Sequence, residues 1–322
     1  GGERPAVTDG DLLQGKLDPD NFAGGTIPLD KAASSAAIRA HIGEKLDLDA
    51  VEAAYGLTEV VDENMSNAAR VHAVENGEDL SDYTMIAFGG AAPLHAARLC
   101  EKLGIHRCLV PTGAGVGSAI GFLKAPFSFE ATRSVFVEFK AFEPSIIAST
   151  LAELREEATT FVRSCDANAP IEAEYKVYMR YRGQGWEIPI NLTAEQAAKP
   201  DRATFQALFE RDYTQLFGRT VAGLEIEATV WAVNATTPTP KAERVPATAA
   251  TADALPQGTR TVFDAALGRT VEAPVIERDT FTLGQRISGP AIITEDETTI
   301  IVPSSRSASV QADGCIDLQV KG

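Results

Sequence analysis

The chain has 322 residues, 44% of them hydrophobic, enough for one large domain or two to three smaller ones with real cores, which excludes disorder throughout. Its 45 acidic against 29 basic side chains give a formal charge of −16, a sign that repels phosphate backbones and anionic lipid, so nucleic acid and membrane are excluded as expected partners. The longest uncharged apolar runs, such as 113–123, are glycine-rich and too short to cross a bilayer.

The first residue is Gly rather than Met, and Gly1-Gly2-Glu3-Arg4-Pro5 reads like the middle of a loop, so a preceding segment is expected. Thr8-Asp9, followed by Asp11, Asp18 and Asp20, can set a carboxylate beside a metal-bound phosphate, since Mg²⁺ takes one or two acidic ligands. Helix capping by Asp9 and a solvated turn at Asp18-Pro19-Asp20 account for the same residues. Helices are expected over 29–45, over 49–54 behind an Asp49/Glu52 capping box, and over 60–76, the last burying Val61, Met65, Ala68, Ala69, His72 and Ala73. A buried strand over 84–88, a helix over 93–103 and a strand over 107–110 give the order of a parallel α/β fold.

Between them lies the sharpest local feature, Ile86-Ala87-Phe88-Gly89-Gly90-Ala91-Ala92-Pro93-Leu94-His95-Ala96. A strand ends in two glycines, where backbone can approach a ligand closely, and a helix begins with proline in its first turn, leaving free N–H groups and a positive dipole end. That geometry suits a nucleotide's phosphates or sugar; a tight turn chosen for packing is the competing account. His95 is a candidate acid or base facing the cleft, or else a ring hydrogen-bonded for structure. The run 113–121 follows a strand but breaks the dinucleotide fingerprint, with Ser118 or Ile120 where glycine or alanine is needed, and there is no phosphate-binding G-x-x-x-x-G-K-[ST] loop or G-x-S-x-G elbow.

Further on, 131–139 alternates like an edge strand, 143–165 is an amphipathic helix, 173–192 a hairpin broken by Arg182-Gly183-Gln184-Gly185, 204–217 a helix with Phe205, Phe209 and Tyr213 on one face, and 225–234 a strand. The hairpin's Met179 to Glu187 is a candidate partner or substrate surface, or an ordinary glycine bulge. A Pro-, Ala- and Thr-rich connection over 236–257 leads to short β segments over 260–322, for which closure as a small barrel or sandwich is expected. Cys100, Cys108, Cys165 and Cys315 have neither C-x-x-C nor zinc-ligand spacing, so no disulfide framework is expected, and the reading is a protein of the reducing cytoplasm.

In this order, Thr8-Asp9, Asn64-Met65, the 87–96 corner, Gly115 to Gly121, Arg180-Tyr181-Arg182-Gly183-Gln184, Gly289 to Glu295 and Thr298-Thr299 resemble the hydantoinase A and oxoprolinase family over essentially the whole chain. The resemblance implies an α/β fold, with 1–140 as the second lobe of an actin-like, ribonuclease-H-type ATPase core, 141–240 as an α+β module and 241–322 as a small β-rich module. It implies ATP with Mg²⁺ or Mn²⁺, Gly89, Gly90, Ala91, Ala92 and Pro93 against the nucleotide, and Asp9 and His95 as catalytic candidates. Ala92 stands where the family more often has glycine. No metal ligand set is assigned.

The family's phosphate loop, of Asp-x-Gly-Thr-Thr-Ser type, normally precedes the residue numbered Gly1. The implied partners are therefore an amino-terminal half carrying that loop, a B-type subunit in a hetero-oligomer, and a small-molecule substrate. The implied reaction is phosphorylation of a carbonyl, enol or lactam oxygen, followed by carboxylation of a ketone or opening of a cyclic amide. The stretch 121–128 tilts the expectation toward the carboxylases. A non-catalytic scaffold, strongly acidic and without its phosphate loop, is the alternative from another class.

Overall fold

The computed structural model describes residues 2–239, 241–242 and 244–321. In chain order its main elements are α1 (Val7–Leu13), α2 (Lys31–Ile38), α3 (Glu44–Leu46), α4 (Ala50–Asn76), β1 (Thr84–Ile86), α5 (Ala92–Leu103), β2 (Arg107–Val110) and α6 (Gly117–Lys124). There follow β3 (Ser128–Glu138), α7 (Pro144–Cys165), β4 (Glu172–Tyr181), β5 (Ile188–Leu192), α8 (Ala194–Ala198), α9 (Arg202–Phe217) and β6 (Ile226–Thr236). The chain ends in β7 (Ala252–Asp253), β8 (Gly258–Asp264), β9 (Arg269–Glu277), β10 (Gln285–Ser288), β11 (Ala291–Thr294), β12 (Thr299–Val302), β13 (Arg306–Val310) and β14 (Ile316–Val320). Among the described residues no helix is long and apolar enough to cross a membrane.

These elements form a mixed α/β fold of two compact units, 1–123 with 243–322, and 124–242. The division differs from the three consecutive segments expected with boundaries at 140 and 240. The final β segments do not close on themselves: β14 pairs antiparallel with β2, Leu318 opposite Cys108, so the first and last parts of the chain share a six-stranded sheet ordered β1-β2-β14-β13-β10-β7. A second sheet, β12-β11-β9-β8, completes the first unit. The reason is an open strand edge: once β1 and β2 have paired in parallel, the other edge of β2 needs a partner for its N–H and C=O groups, and β14 supplies it.

Two further expectations on the first unit are corrected. Ala50–Asn76 is one helix of 27 residues where two were expected, started by the Asp49 side chain, which accepts from the amides of Val51 at 2.8 Å and Glu52 at 2.9 Å. Gly56 does not break it, because one interior glycine costs only ~1 kcal/mol against alanine. Its buried face is not the apolar one: Thr58, Asp62 and Ser66 point inward with Ala53, Ala54 and Ala73, whereas Met65 and His72 are exposed. Likewise β1 is not buried but is the edge strand of its sheet, with Ile86 61% exposed.

The second unit follows its pattern closely. Its antiparallel sheet β3-β6-β4-β5 carries the hairpin β4–β5 and the edge strand β3 as expected. Ile147, Leu151, Leu154, Ala158 and Val162 of α7 and Phe205, Phe209 and Tyr213 of α9 form one core with Val177, Met179, Ile190 and Trp231 of the sheet. Full burial of each large side chain contributes roughly 1.5–3 kcal/mol, so this helical stripe alone accounts for the stable placement of both helices. Gln184 donates to the Tyr213 hydroxyl at 2.7 Å, and Arg180 and Arg182 pair with Glu187, Glu225 and Glu227, so most polar groups of the Met179–Glu187 segment serve the fold. Trp186 extends into solvent, 77% exposed.

Candidate functional site

Within the first unit a cleft of about 630 Å³ opens between three stretches of chain: the turn after α1 (Leu17, Asp18, Asn21, Phe22, Gly24), the corner Gly90-Ala91 with Leu94, and residues 294–299. Each stretch is held for a physical reason. Gly89 adopts φ +112°, which L side chains rarely adopt, and donates its N–H to the Ala114 carbonyl at 2.6 Å. On the other side of the corner the Gly90 carbonyl accepts from the Thr298 hydroxyl at 2.7 Å. The corner is thus clamped between two neighbouring turns, with Gly90 and Ala91 exposed to the cleft.

From this corner α5 runs away for 12 residues, with Ala91 as an N-cap that supplies no side-chain acceptor and Pro93 in the first turn. Among the described residues nothing accepts from the amides of Gly90, Ala91 and Ala92. Free N–H groups at a helix's positive end make a ready anion or hydroxyl site. The glycine-rich run 113–121 buttresses one wall of the cleft. A Cβ on Gly115 would sit 2.8 Å from the Glu297 carbonyl oxygen, so glycine there lets this turn press against residues 295–298.

The cleft floor is ionic. Asp11 is 3% exposed; its Oδ1 accepts from the Lys16 ammonium at 2.9 Å and its Oδ2 lies 3.2 Å from His95 Nε2. The other ring nitrogen, Nδ1, lies 2.9 Å from Asp62 Oδ1 of α4. Burial of the ring works against its charge, but the two flanking carboxylates prevail and lift the His95 pKa to about 9. For Asp11 burial alone would raise the carboxyl, and the His95 contact with the Lys16 charge brings it below its usual range.

Every ionisable side chain lining the cleft is a carboxylate: Asp11, Asp18, Glu295, Asp296 and Glu297. Asp18 is paired with Arg260 at 2.7 Å and Glu295 with Arg278 at 2.7 Å, and burial pushes the Glu295 carboxyl up. Asp296 and Glu297 are exposed at the rim. Such a lining matches hydroxyl and amine donors directly, and matches a polyanion only when divalent cations accompany it. Among the described residues no group of three or more His, Cys, Asp or Glu is placed as a metal cage.

Of the residues singled out from sequence, Gly90 and Ala91 reach the cleft, while Gly89, Ala92 and Pro93 shape the corner behind them. Asp9 does not line the cleft: its carboxylate accepts from the Ala6 amide at 2.7 Å and from the Ser34 hydroxyl at 2.5 Å, holding the start of α1 against α2. The reason is helix phase, which turns Asp9 to the N-terminal end of α1 and Asp11 inward. His95 faces not the open cleft but the buried side of α5, between Asp11 and Asp62. Sequence reading missed Asp62 and the 294–297 wall; the sign of Asp62 was the polar row Thr58, Asp62, Ser66 at helical spacing.

Comparison with known proteins agrees along the chain's length. A family model described as hydantoinase/oxoprolinase matches residues 1–131, and one described as hydantoinase/oxoprolinase C-terminal domain matches residues 139–319. Caprolactamase subunit alpha of Pseudomonas jessenii is 29% identical over 328 residues, covering 99% of this chain and 47% of the relative. Acetophenone carboxylase gamma subunit of Aromatoleum aromaticum is 29% identical over 345 residues, covering 99% of this chain and 45% of the relative. Among solved structures, nucleotide-free acetone carboxylase, described for ATP-dependent acetone carboxylation, superposes with a TM-score of 0.77 at 25% identity, over 98% of this chain and 46% of that one. The chain therefore spans about half the length of the relatives it matches.

Proposed function

From the premise that this chain belongs to the hydantoinase/oxoprolinase family, we propose that it forms one side of a nucleotide site in an ATP-dependent enzyme complex that activates a carbonyl, enol or amide oxygen by phosphorylation. The observation that carries this reading is the cleft beside the Gly89-Gly90 corner, into which Ala91 at the uncapped start of α5 opens. In this proposal the first unit is the second lobe of an actin-like ATPase core. The phosphate loop comes from an amino-terminal half, in keeping with relatives about twice as long. A B-type subunit completes the hetero-oligomer.

The donor set fits a loosely held Mg²⁺ or Mn²⁺: such ions keep several waters and take one or two carboxylates with phosphate oxygens, and the exposed Asp296 and Glu297 of the cleft lining would supply the carboxylates. When bound, the ion would offset the charge of phosphates against this acidic lining. The protein's own part is positional: the corner amides fix the nucleotide, Leu17, Phe22 and Leu94 give an apolar face, and the clamped walls keep the geometry.

We place ketone carboxylation ahead of cyclic-amide opening on the strength of the 121–128 stretch, with the caprolactamase relative supporting the second reading. The test is to assay the assembled complex with ATP, bicarbonate and ketones, and separately with hydantoins and lactams, following ADP or AMP. Ala91→Trp, at an exposed position of ordinary αR backbone, is expected to abolish turnover without changing thermal stability. Unchanged turnover in that variant would remove the cleft from the reaction.

A further inference from the structure

The buried charges beneath the cleft are out of keeping with a purely structural core. Asp11, Lys16, Asp62 and His95 are all between 3% and 8% exposed, and they come from α1, the turn after it, α4 and α5. Buried ions are costly unless paired, and a solely structural site would be served as well by apolar packing. Here two carboxylates flank one imidazole, at 3.2 Å from Nε2 and 2.9 Å from Nδ1. Asp62 Oδ1 and His95 Nδ1 make no well-aligned hydrogen bond among the described residues, so each has the other as its counter-charge.

A neutral imidazole carries one N–H and can face only one of these carboxylates with a donor; the imidazolium carries two, one toward each, and a charge opposite to both. We infer that Asp62 is a positioning residue of the cleft, which acts through a doubly protonated His95 to fix the carboxylate of Asp11 at the cleft floor. The inference rests on the reading of the cleft as the functional site. With the proton in place the four charges sum to zero, so the floor presents an oriented acceptor without net charge. When the proton leaves, the set carries one negative charge; Asp11 keeps Lys16, whereas Asp62 faces an uncharged ring.

The charged groups facing the ring are few. Lys16 and Asp11 approach from α1 and the turn after it and Asp62 from α4. Arg98, Glu101 and Asp264 line the small cavity of about 40 Å³ next to Lys16 and Asp62. Arg98 is taken by Glu59 at 2.8 Å and Glu101 at 2.9 Å, and Asp264 by the amide and hydroxyl of Ser304. None of these can replace Asp62 as the partner of Nδ1.

The experiment is an NMR titration of the full chain, labelled with ¹⁵N-histidine and ¹³C-aspartate, in wild type and Asp62→Asn. The expected result is a His95 ring protonated on both nitrogens at pH 7, deprotonating near pH 9 with a simultaneous shift of the Asp11 carboxyl carbon. In Asp62→Asn both changes move together to lower pH by at least one unit, a tenfold loss of proton affinity. Asp62→Glu, which keeps the charge, is expected to restore most of the shift. A ring that titrates alone near pH 6.5, or an Asp11 signal indifferent to residue 62, overturns the inference. ATP titration of the same samples addresses the nucleotide reading separately: absence of binding counts against that reading and leaves the coupling result standing.

Discussion

Replacing His95 with glutamine removes the one group of the cleft floor whose charge state is set by its neighbours, and the consequence is calculable. The rise of its pKa from 6.5 to about 9 corresponds to roughly 3 kcal/mol, at 1.36 kcal/mol per pKa unit. The folded state holds the proton more tightly than the unfolded chain, so this stabilisation is complete below about pH 6.5, declines between 6.5 and 9, and is gone above 9. The assay is urea unfolding of wild type and His95→Gln at pH 6, 7.5 and 9.5. Other titrating groups act in both proteins, so the difference between them isolates this ring. That difference is expected to shrink by about 3 kcal/mol from pH 6 to pH 9.5. A difference that stays constant with pH would show that folding leaves the ring's proton affinity unchanged and refute the ionic reading of the floor.

Two other perturbations follow from the same geometry. Gly115→Ala forces a Cβ to within 2.8 Å of the Glu297 carbonyl, so it is expected to lower stability by ~1–3 kcal/mol and to weaken nucleotide affinity by displacing the 295–297 wall; chemical denaturation and equilibrium titration read the two effects. Trp231→Phe in the second unit loses the 2.9 Å bond from its indole N–H to the Val135 carbonyl and leaves a void. A loss of about 2–4 kcal/mol is expected, with no change in nucleotide affinity in the assembled complex.

Much of this was legible from sequence where local rules suffice. The capping box at Asp49 and Glu52 and the Phe205, Phe209, Tyr213 stripe gave their helix start and core face directly, because both depend on neighbours within two turns. The glycine corner was visible because two glycines and a proline between apolar runs leave few backbone choices. What failed was non-local. Nothing in Ile316–Val320 announces that it will pair with Arg107–Val110 two hundred residues earlier, so the shared sheet was unreadable. The inward face of α4 was misjudged because apolar periodicity marks Val61 and Met65, whereas burial followed the charge partners of Asp62. Asp9 and Asp11 illustrate the finer limit: two positions along one helix separate a cap from the floor of a cleft.

The central claim is that the nucleotide lies in the cleft between the corner and the two clamped turns, and photolabelling of the assembled complex with an azido-adenine analogue of ATP, followed by peptide mapping, tests it most directly. The account predicts label within residues 17–26, 90–94 and 294–299, suppressed by excess ATP. Label confined to residues 124–242, or insensitive to ATP, would contradict it.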